Sequence, residues 1–428
     1  MNRRRFLASA AAFAVSPALF AADKKRITPA DAFDPVIHKF MRERGVPGGA
    51  LAVVKDRRLV HARGYGLADC DQQLPPAPDS LFRIASITKP LTAVALLHLV
   101  QRKKFDLDDR VFSLLKLGDQ LPKNSSLDER WKKITLRHLL HHTGGWDRDK
   151  SGDPMFKPGS IARALDEPAP ARPWTIIRHM LGKPLDFGPG SRYAYSNFGY
   201  CLLGRVIEKI TGQPCEDFVR NEILAPIGIT RMRLGATLEA ARADGEVRYY
   251  TARSTTTRSV FGEGKEQVPW PYGGFHLEAM DAHGGWIASA VDLVRFSAAL
   301  DEAAPRPLLR ADTLRVMRAP PAPPVSRDDR GRLADHWYGC GWLVRPVKKD
   351  RFNLWHAGSL PGTFTFLASL AGGVTYAALF NQRSEDSKNG DDALDPGPRP
   401  RRRRSDRLAR GRFVRQVRLS RPPLELPL

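Results

Sequence analysis

The hydrophobic and polar positions divide the chain into strand-like runs near both ends and helical patterns between them. Residues 49–54 and 59–66 are two short β-type runs joined by Lys55-Asp56-Arg57-Arg58, which predicts a β-hairpin. Residues 91–100 are apolar on nearly every side of a helix, a pattern typical of a buried central helix. Residues 197–211 carry apolar side chains at helical spacing, which predicts a second long helix.

Strand-like runs return in the last third of the chain. They cover residues 338–344, 353–355, 363–368 and 374–380. Before them, Ser289 and Asp292 have the spacing of a capping box, which predicts a helix that runs to Leu300.

Strands at both ends with helices between them predict an α+β fold with more than one domain. We expect residues 27–125 and 275–382 to form an antiparallel sheet flanked by helices, and residues 126–274 to form a mostly helical domain.

The formal charge of +22 suggests a nucleic-acid partner, but its distribution argues against one. Eleven arginines lie between Asp395 and Leu428, and no recognition module accompanies them. We interpret residues 383–428 as a disordered, Arg/Pro-rich tail, with binding to nucleic acid or anionic lipid as the alternative. We also consider that the tail is an out-of-frame or otherwise aberrant terminus, in which case one sheet face stays exposed.

The first residues have the pattern of a targeting segment. Asn2-Arg3-Arg4-Arg5-Phe6-Leu7 is a twin-arginine pattern, and the apolar run from Ala8 to Phe20 is too short to span a bilayer. We expect residues 1–22 to be a twin-arginine signal peptide and the protein to be periplasmic or secreted, without stable membrane insertion. An uncleaved N-terminal anchor is the alternative.

Cysteine and histidine spacing gives little support for a metal site. Four widely spaced cysteines contain no C-x-x-C, which leaves at most one incidental disulfide. His138 and His142 are four residues apart, but no H-E-x-x-H pattern includes them, so zinc remains a minor alternative. We predict no metal and no cofactor.

Ser86 and Lys89 are the strongest chemical candidates because side chains three residues apart share one helix face. Pro90 fits only a first helical turn, which places Lys89 at the apolar start of the central helix. A lysine amine whose pKa is lowered by burial can take a proton from a serine hydroxyl and make it a nucleophile. The pair Ser113 and Lys116 is a second S-x-x-K, so spacing alone does not identify the site.

Two later segments supply possible partners. Tyr195 and Asn197 form the only Y-x-N in the chain, in a glycine-rich loop just before a predicted helix. His356 and Gly358 form an H-x-G between predicted strands, where a glycine allows close approach of backbone and ligand. The segments His142-Thr143-Gly144 and His283-Gly284-Gly285 also match H-x-G.

The order S-x-x-K, Y-x-N and H-x-G resembles the serine β-lactamase and penicillin-binding protein superfamily, in its class C β-lactamase-like and esterase branch. The resemblance covers roughly residues 30–382. It implies that Ser86 is the acyl-accepting nucleophile, that Lys89 assists it, and that Tyr195 is a second base held partly as phenolate beside Lys89.

The resemblance also implies binding roles. Asn197 positions substrate or Lys89, and the backbone N–H groups of Ser86 and Ser359 form an oxyanion hole. His356 and Gly358 lie where many relatives carry a Lys-Thr-Gly. The alternative for Tyr195 and Asn197 is a turn-and-cap role at the helix start, and the alternative for His356 is a purely structural role.

A histidine in place of that lysine changes the substrate expected, because histidine is mostly neutral at pH 7. We therefore predict an exported serine hydrolase that acts on a carboxylic ester, a β-lactam or a D-amino-acid peptide. The substrate is a small molecule or a cell-wall peptide. The alternative is a non-catalytic protein that holds peptidoglycan peptides or penicillin in the same cleft.

Overall fold

The computed structural model describes residues 29–321 and 334–384. The predicted signal peptide and most of the predicted tail lie outside these residues. The described helices are α1 Pro29–Arg44, α2 Thr88–Gln101, α3 Val111–Leu114, α4 Leu136–Leu140, α5 Arg148–Ser151, α6 Pro158–Ala164, α7 Pro173–Leu181, α8 Asn197–Thr211, α9 Cys215–Phe218, α10 Ala290–Ala298 and α11 Ala311–Arg318. The described strands are β1 Gly48–Lys55, β2 Arg58–Gly66, β3 Phe82–Arg83, β4 Arg233–Leu234, β5 Thr256–Arg258, β6 Gln267–Pro269, β7 Trp286–Ala288, β8 Trp337–Tyr338, β9 Leu343–Lys348, β10 Arg351–Leu360, β11 Thr363–Leu370 and β12 Val374–Phe380.

Seven strands form one antiparallel sheet in the order β2-β1-β12-β11-β10-β9-β8. Strands β1 and β2 come from the N-terminal part of the described chain, and β8 to β12 come from its C-terminal part. Most of the described helices lie between these two groups in the sequence. This arrangement confirms the α+β fold expected from the sequence. Two small sheets, β3-β7-β4 and β5-β6, lie outside the large one.

The predicted hairpin and strands are present, with two differences. Asp56 and Arg57 both have positive φ, as a two-residue hairpin turn of type I′ requires. The strand predicted to end at Trp355 continues to Leu360, because Leu360 still pairs with Thr363 of β11. The predicted strand 338–344 is interrupted before β9 by a turn in which Gly341 has positive φ.

Helix α2 is buried on all sides, as its sequence pattern predicts. Residues 88–97 and Leu99 are buried, and Lys89 is 0% exposed. His98 is partly exposed. The helix packs against α8, whose bounds match the predicted 197–211. Ser196 caps α8 by accepting the N–H of Gly199, and Gly212 ends it with positive φ.

Helix α1 covers the face of the sheet opposite α2. Phe33, Ile37 and Phe40 are buried against the sheet, and Phe40 stacks on Phe380 with ring centroids 4.6 Å apart. The expectation of an exposed sheet face is therefore wrong for the part that α1 covers. Helix α1 was not predicted from the sequence; it contains Pro35, a residue that disfavours the interior of a helix.

A buried ion pair joins α8 to the segment before β7. Arg205 pairs with Asp281 and lies 3.0 Å from Glu208. Next to Asp281, the carbonyl of Ala282 accepts a hydrogen bond of 2.8 Å from Thr92 of α2. These contacts fix the position of residues 281–283, which form one wall of the candidate site.

Two further observations concern membrane-spanning helices and disulfide bonds. No helix in residues 29–321 and 334–384 combines the length and apolar character needed to cross a membrane. All four cysteines are free thiols, so the disulfide considered from the sequence does not form.

Candidate active site

Ser86 lies in a tight turn between β3 and α2. The turn is the 3-10 segment Ala85–Ile87, and Ala85 has a φ of +47°, which is unfavourable for a residue with a side chain. Pairing of Phe82 with Ala288 in β7 holds the chain before the turn. Ser86 remains partly exposed while its neighbours are buried, so the turn leaves this residue accessible from solvent.

Lys89 contacts three oxygen atoms from three separate parts of the chain. Its Nζ lies 2.7 Å from Asn197 Oδ1, 3.0 Å from the carbonyl oxygen of His283 and 3.3 Å from Ser86 Oγ. Burial lowers the pKa of Lys89 well below its ordinary value; nearby Asp153 opposes this shift and Arg148 adds to it. Burial therefore favours the neutral form of this amine.

A protonated amine could donate to all three oxygens. Burial favours the neutral amine instead, which makes different use of the same contacts. It has two N–H donors for the oxygens of Asn197 and His283, which can only accept. Its lone pair is then free to accept the hydroxyl proton of Ser86. The geometry thus leaves the basic position of Lys89 directed at the candidate nucleophile.

Tyr195 completes the group around Ser86. Its hydroxyl hydrogen-bonds Ser86, and the centroid of its ring lies 4.7 Å from Lys89 Nζ. Burial raises the pKa of Tyr195 above that of a free phenol, and a neutral Lys89 supplies no charge to counter this. Burial therefore favours the phenol form of Tyr195, and its interpretation as a partly phenolate second base stays a prediction.

Asn197 is held between Lys89 and an aspartate that no sequence motif identifies. Its Oδ1 accepts from Lys89, and its Nδ2 donates to Asp153 Oδ2 over 2.6 Å. Asp153 also accepts the N–H of Met155 at 3.0 Å, so both of its oxygens have partners. The only sequence signal was the Asp-Pro step of a helix cap in a proline-rich segment, which is not specific to function.

The edge of β10 approaches the Ser86 turn directly. A Cβ on Gly358 would lie 2.2 Å from the carbonyl oxygen of Ile84 and 2.3 Å from Thr365 Oγ1. Only glycine allows this approach. Ser359, the next residue, has an exposed side chain.

His356 is buried and uncharged. Its Nδ1 donates to the carbonyl of Ala357 at 2.7 Å, and its Nε2 accepts from the Tyr338 hydroxyl at 2.9 Å. Burial lowers the pKa of His356 to about 3. Both ring nitrogens are thus engaged by protein, and the predicted role of His356 in substrate binding stays a prediction.

Two further histidines contact Tyr195 or Tyr338. The ring of His142 lies 4.3 Å from those of Tyr195 and Tyr338, and its Nδ1 accepts the N–H of Ser196. Burial lowers the pKa of His142 well below its ordinary value. His141 is hydrogen-bonded to the carbonyl of Tyr338.

The other candidates from the sequence are not assembled in this way. Ser113 and Lys116 are exposed, and Lys116 lies beyond the end of α3 with positive φ. Among the described residues, no group of three or more His, Cys, Asp or Glu side chains is arranged to hold a metal ion. His283 contributes its backbone carbonyl to Lys89, which its H-x-G match did not predict.

A sequence model of the beta-lactamase family matches residues 33–395. Among proteins of known name, the chain is 32% identical over 224 residues to esterase EstB of Burkholderia gladioli, covering 51% of this chain and 54% of the esterase. It is 25% identical over 270 residues to a putative D-alanyl-D-alanine carboxypeptidase of Escherichia coli K12, covering 58% of each. The chain thus spans little more than half the length of these curated relatives.

A solved structure shows the same fold. The D-amino acid amidase of Ochrobactrum anthropi SV3 superposes with a TM-score of 0.62 and 23% identity, covering 90% of this chain and 98% of the amidase. At this level of identity the likeness concerns the fold alone. The antiparallel sheet flanked by helices is therefore shared.

We predict that Gly358→Ala disturbs the site, because the added methyl group must push β10 away from the Ser86 turn. The rate at which a fluorophosphonate probe labels Ser86 should fall about 100-fold, since small displacements of reacting groups cost that much. The measurement is the rate of adduct formation by mass spectrometry.

The control for this change is Gly372→Ala, because an added Cβ there meets nothing within 4 Å. That variant should be labelled at the wild-type rate. Equal labelling of the Gly358→Ala variant would contradict the close approach of β10.

Proposed function

Because the chain belongs to the beta-lactamase family, we propose that it is a serine hydrolase that cleaves an ester or amide through an acyl-enzyme on Ser86. The observation that carries this proposal is the position of the buried Lys89 amine, whose Nζ lies 3.3 Å from Ser86 Oγ and also contacts oxygens of Asn197 and His283. The hydrolase names of the relatives support the reaction class.

Acylation follows from the positions of three groups. Lys89 Nζ accepts the proton of Ser86 Oγ while this oxygen bonds to the substrate carbonyl carbon. Tyr195 donates its phenolic proton to the departing alcohol or amine, and the lysine ammonium returns a proton to the tyrosine oxygen. The net change is transfer of the serine proton to the leaving group, which restores Lys89 and Tyr195.

Deacylation runs through the same groups in reverse. A water molecule bonds to the acyl carbon and gives its proton to the Lys89 and Tyr195 pair. The bond from the acyl carbon to Ser86 Oγ breaks, and the pair returns a proton to this oxygen. We propose that the backbone N–H groups of Ser86 and Ser359 stabilise the oxyanion in both steps, each donor contributing about 3 kcal/mol.

The state of His356 bears on the substrate. A neutral ring with both nitrogens engaged cannot act as the permanent cation that anchors a carboxylate beside β10. This favours esters and amides that do not require a charged anchor at that position. Carboxylic esters and D-amino-acid amides or peptides therefore rank before β-lactams.

We predict that a fluorophosphonate probe or a fluorescent penicillin forms an adduct that depends on Ser86. Ser86→Ala should abolish the adduct, because it removes the nucleophile, and in-gel fluorescence with peptide mapping measures it. Ser113→Ala is the matched control, since Ser113 has the same S-x-x-K spacing but is exposed. An adduct that survives in the Ser86→Ala variant, or none in the wild type, would favour the non-catalytic binding protein.

We predict an acid limit of activity that reports Lys89. Only the free amine accepts the serine proton, so kcat/KM for a 4-nitrophenyl ester should fall as pH drops through the lowered pKa of Lys89. The charges acting on Lys89 are those of Asp153 and Arg148. Because Asp153 raises this pKa, Asp153→Asn should move the limit to lower pH.

The control for the pH profile is Asp149→Asn, a carboxylate of the same segment that is 94% exposed. It should leave the acid limit in place. The role of Lys89 would be contradicted by an acid limit near the ordinary lysine pKa, or by one that stays at the same pH in the Asp153→Asn variant.

We also propose export by the twin-arginine route, on the basis of the N-terminal sequence alone. Residues 1–22 fused to a reporter should direct it to the periplasm, and changing both Arg3 and Arg4 to lysine should stop this. Cell fractionation measures the outcome. A reporter that still reaches the periplasm after both changes would exclude this route.

A further inference from the structure

Charge is scarce around Ser86. Burial favours the neutral form of Lys89 and keeps His356 neutral. Asp153 is charged but has both oxygens engaged, by Asn197 and by the N–H of Met155. A charged side chain that could bind a substrate group here is therefore a different residue near Ser86.

Arg148 fits this description. It begins the short helix α5, and its guanidinium carbon lies 4.7 Å from the centroid of the Tyr195 ring. Lys89 Nζ lies at the same distance from that ring, so the guanidinium and the amine that activates Ser86 flank one side chain. The side chain of Arg148 is 46% exposed, which leaves it accessible from solvent.

The guanidinium is weakly compensated. Its contact with a carboxylate is 3.9 Å long, to Asp149, whose side chain is 94% exposed. It donates no hydrogen bond to another residue within 29–321 and 334–384. By contrast, nearby Arg192 donates to Asp147 at 2.7 Å and lies over the ring of Phe187.

We propose that Arg148 binds a carboxylate of the substrate and thereby selects esters or amides that carry an anionic group near the reacting carbonyl. A guanidinium can form two parallel hydrogen bonds with a carboxylate, and its contact with the Tyr195 ring restricts its movement. Arg148 thus supplies, on the Tyr195 side of Ser86, the cation that β10 lacks. This inference rests on the proposed hydrolase function.

The test compares neutral and anionic esters of similar size. Wild type and variants are assayed with 4-nitrophenyl butyrate, with mono-4-nitrophenyl glutarate, which has a carboxylate on the acyl chain, and with 4-carboxyphenyl butyrate, which has one on the leaving group. The anionic ester that the wild type prefers shows on which side of the carbonyl the carboxylate binds. The readout is the ratio of kcat/KM for that ester to kcat/KM for 4-nitrophenyl butyrate.

Arg148→Met should lower this ratio about 10- to 100-fold, mainly through a higher KM for the anionic ester, because a charge-assisted hydrogen bond is lost. Arg148→Lys should keep part of the preference, because it keeps the charge but not the paired donors. Lys150→Met is the matched control, since Lys150 is an exposed cation of the same helix that lies 3.6 Å from Asp186. It should leave the ratio at the wild-type value.

The outcomes separate the two proposals. If the wild type hydrolyses the esters but shows no preference for either anionic one, or if Arg148→Met leaves the ratio unchanged, the role of Arg148 is refuted while the hydrolase function stands. If no ester is hydrolysed and Ser86 forms no adduct, the proposed function fails, and this inference fails with it. Thermal melts of each variant show whether a loss reflects unfolding.

Discussion

A fully buried lysine amine keeps its charge only with a close carboxylate, and Lys89 has carbonyl and hydroxyl oxygens around it instead. The rest of the site follows from this constraint. Two acceptors take the two N–H groups of a neutral amine, so its lone pair is directed at Ser86. Burial also favours the protonated form of Tyr195, because desolvation of the phenolate outweighs the opposing charge of Arg148.

The fold meets this constraint by bringing distant segments to the start of α2. Lys89 comes from the first turn of α2 and Ser86 from the 3-10 turn just before it. Asn197 comes from the capped start of α8, and the His283 carbonyl from the segment that Arg205 and Asp281 hold in place. The large sheet supplies the opposite wall, where β10 meets the Ser86 turn at a position that only glycine can occupy. Rigid elements therefore position every group that contacts Lys89.

Burial also explains why the histidines near Lys89 favour their neutral forms. Within the described residues, His142, His283 and His356 are all buried near Lys89, and burial lowers the pKa of each. His142 packs against Tyr195 and Tyr338, and His356 accepts a hydrogen bond from the Tyr338 hydroxyl. The charges that act on Lys89 are those of Asp153 and Arg148.

Local pattern was sufficient for the main strands and for helices α2 and α8, but not for α1. The apolar run after Ser86 determined a buried helix with Lys89 at its start, and the Y-x-N segment determined where α8 begins, because spacing and capping act over a few residues. The protonation states of Lys89 and Tyr195, and the places of Asp153, Arg148 and the His283 carbonyl, were decided only by the tertiary structure. Desolvation and charge depend on neighbours far apart in the chain, and no local pattern records them.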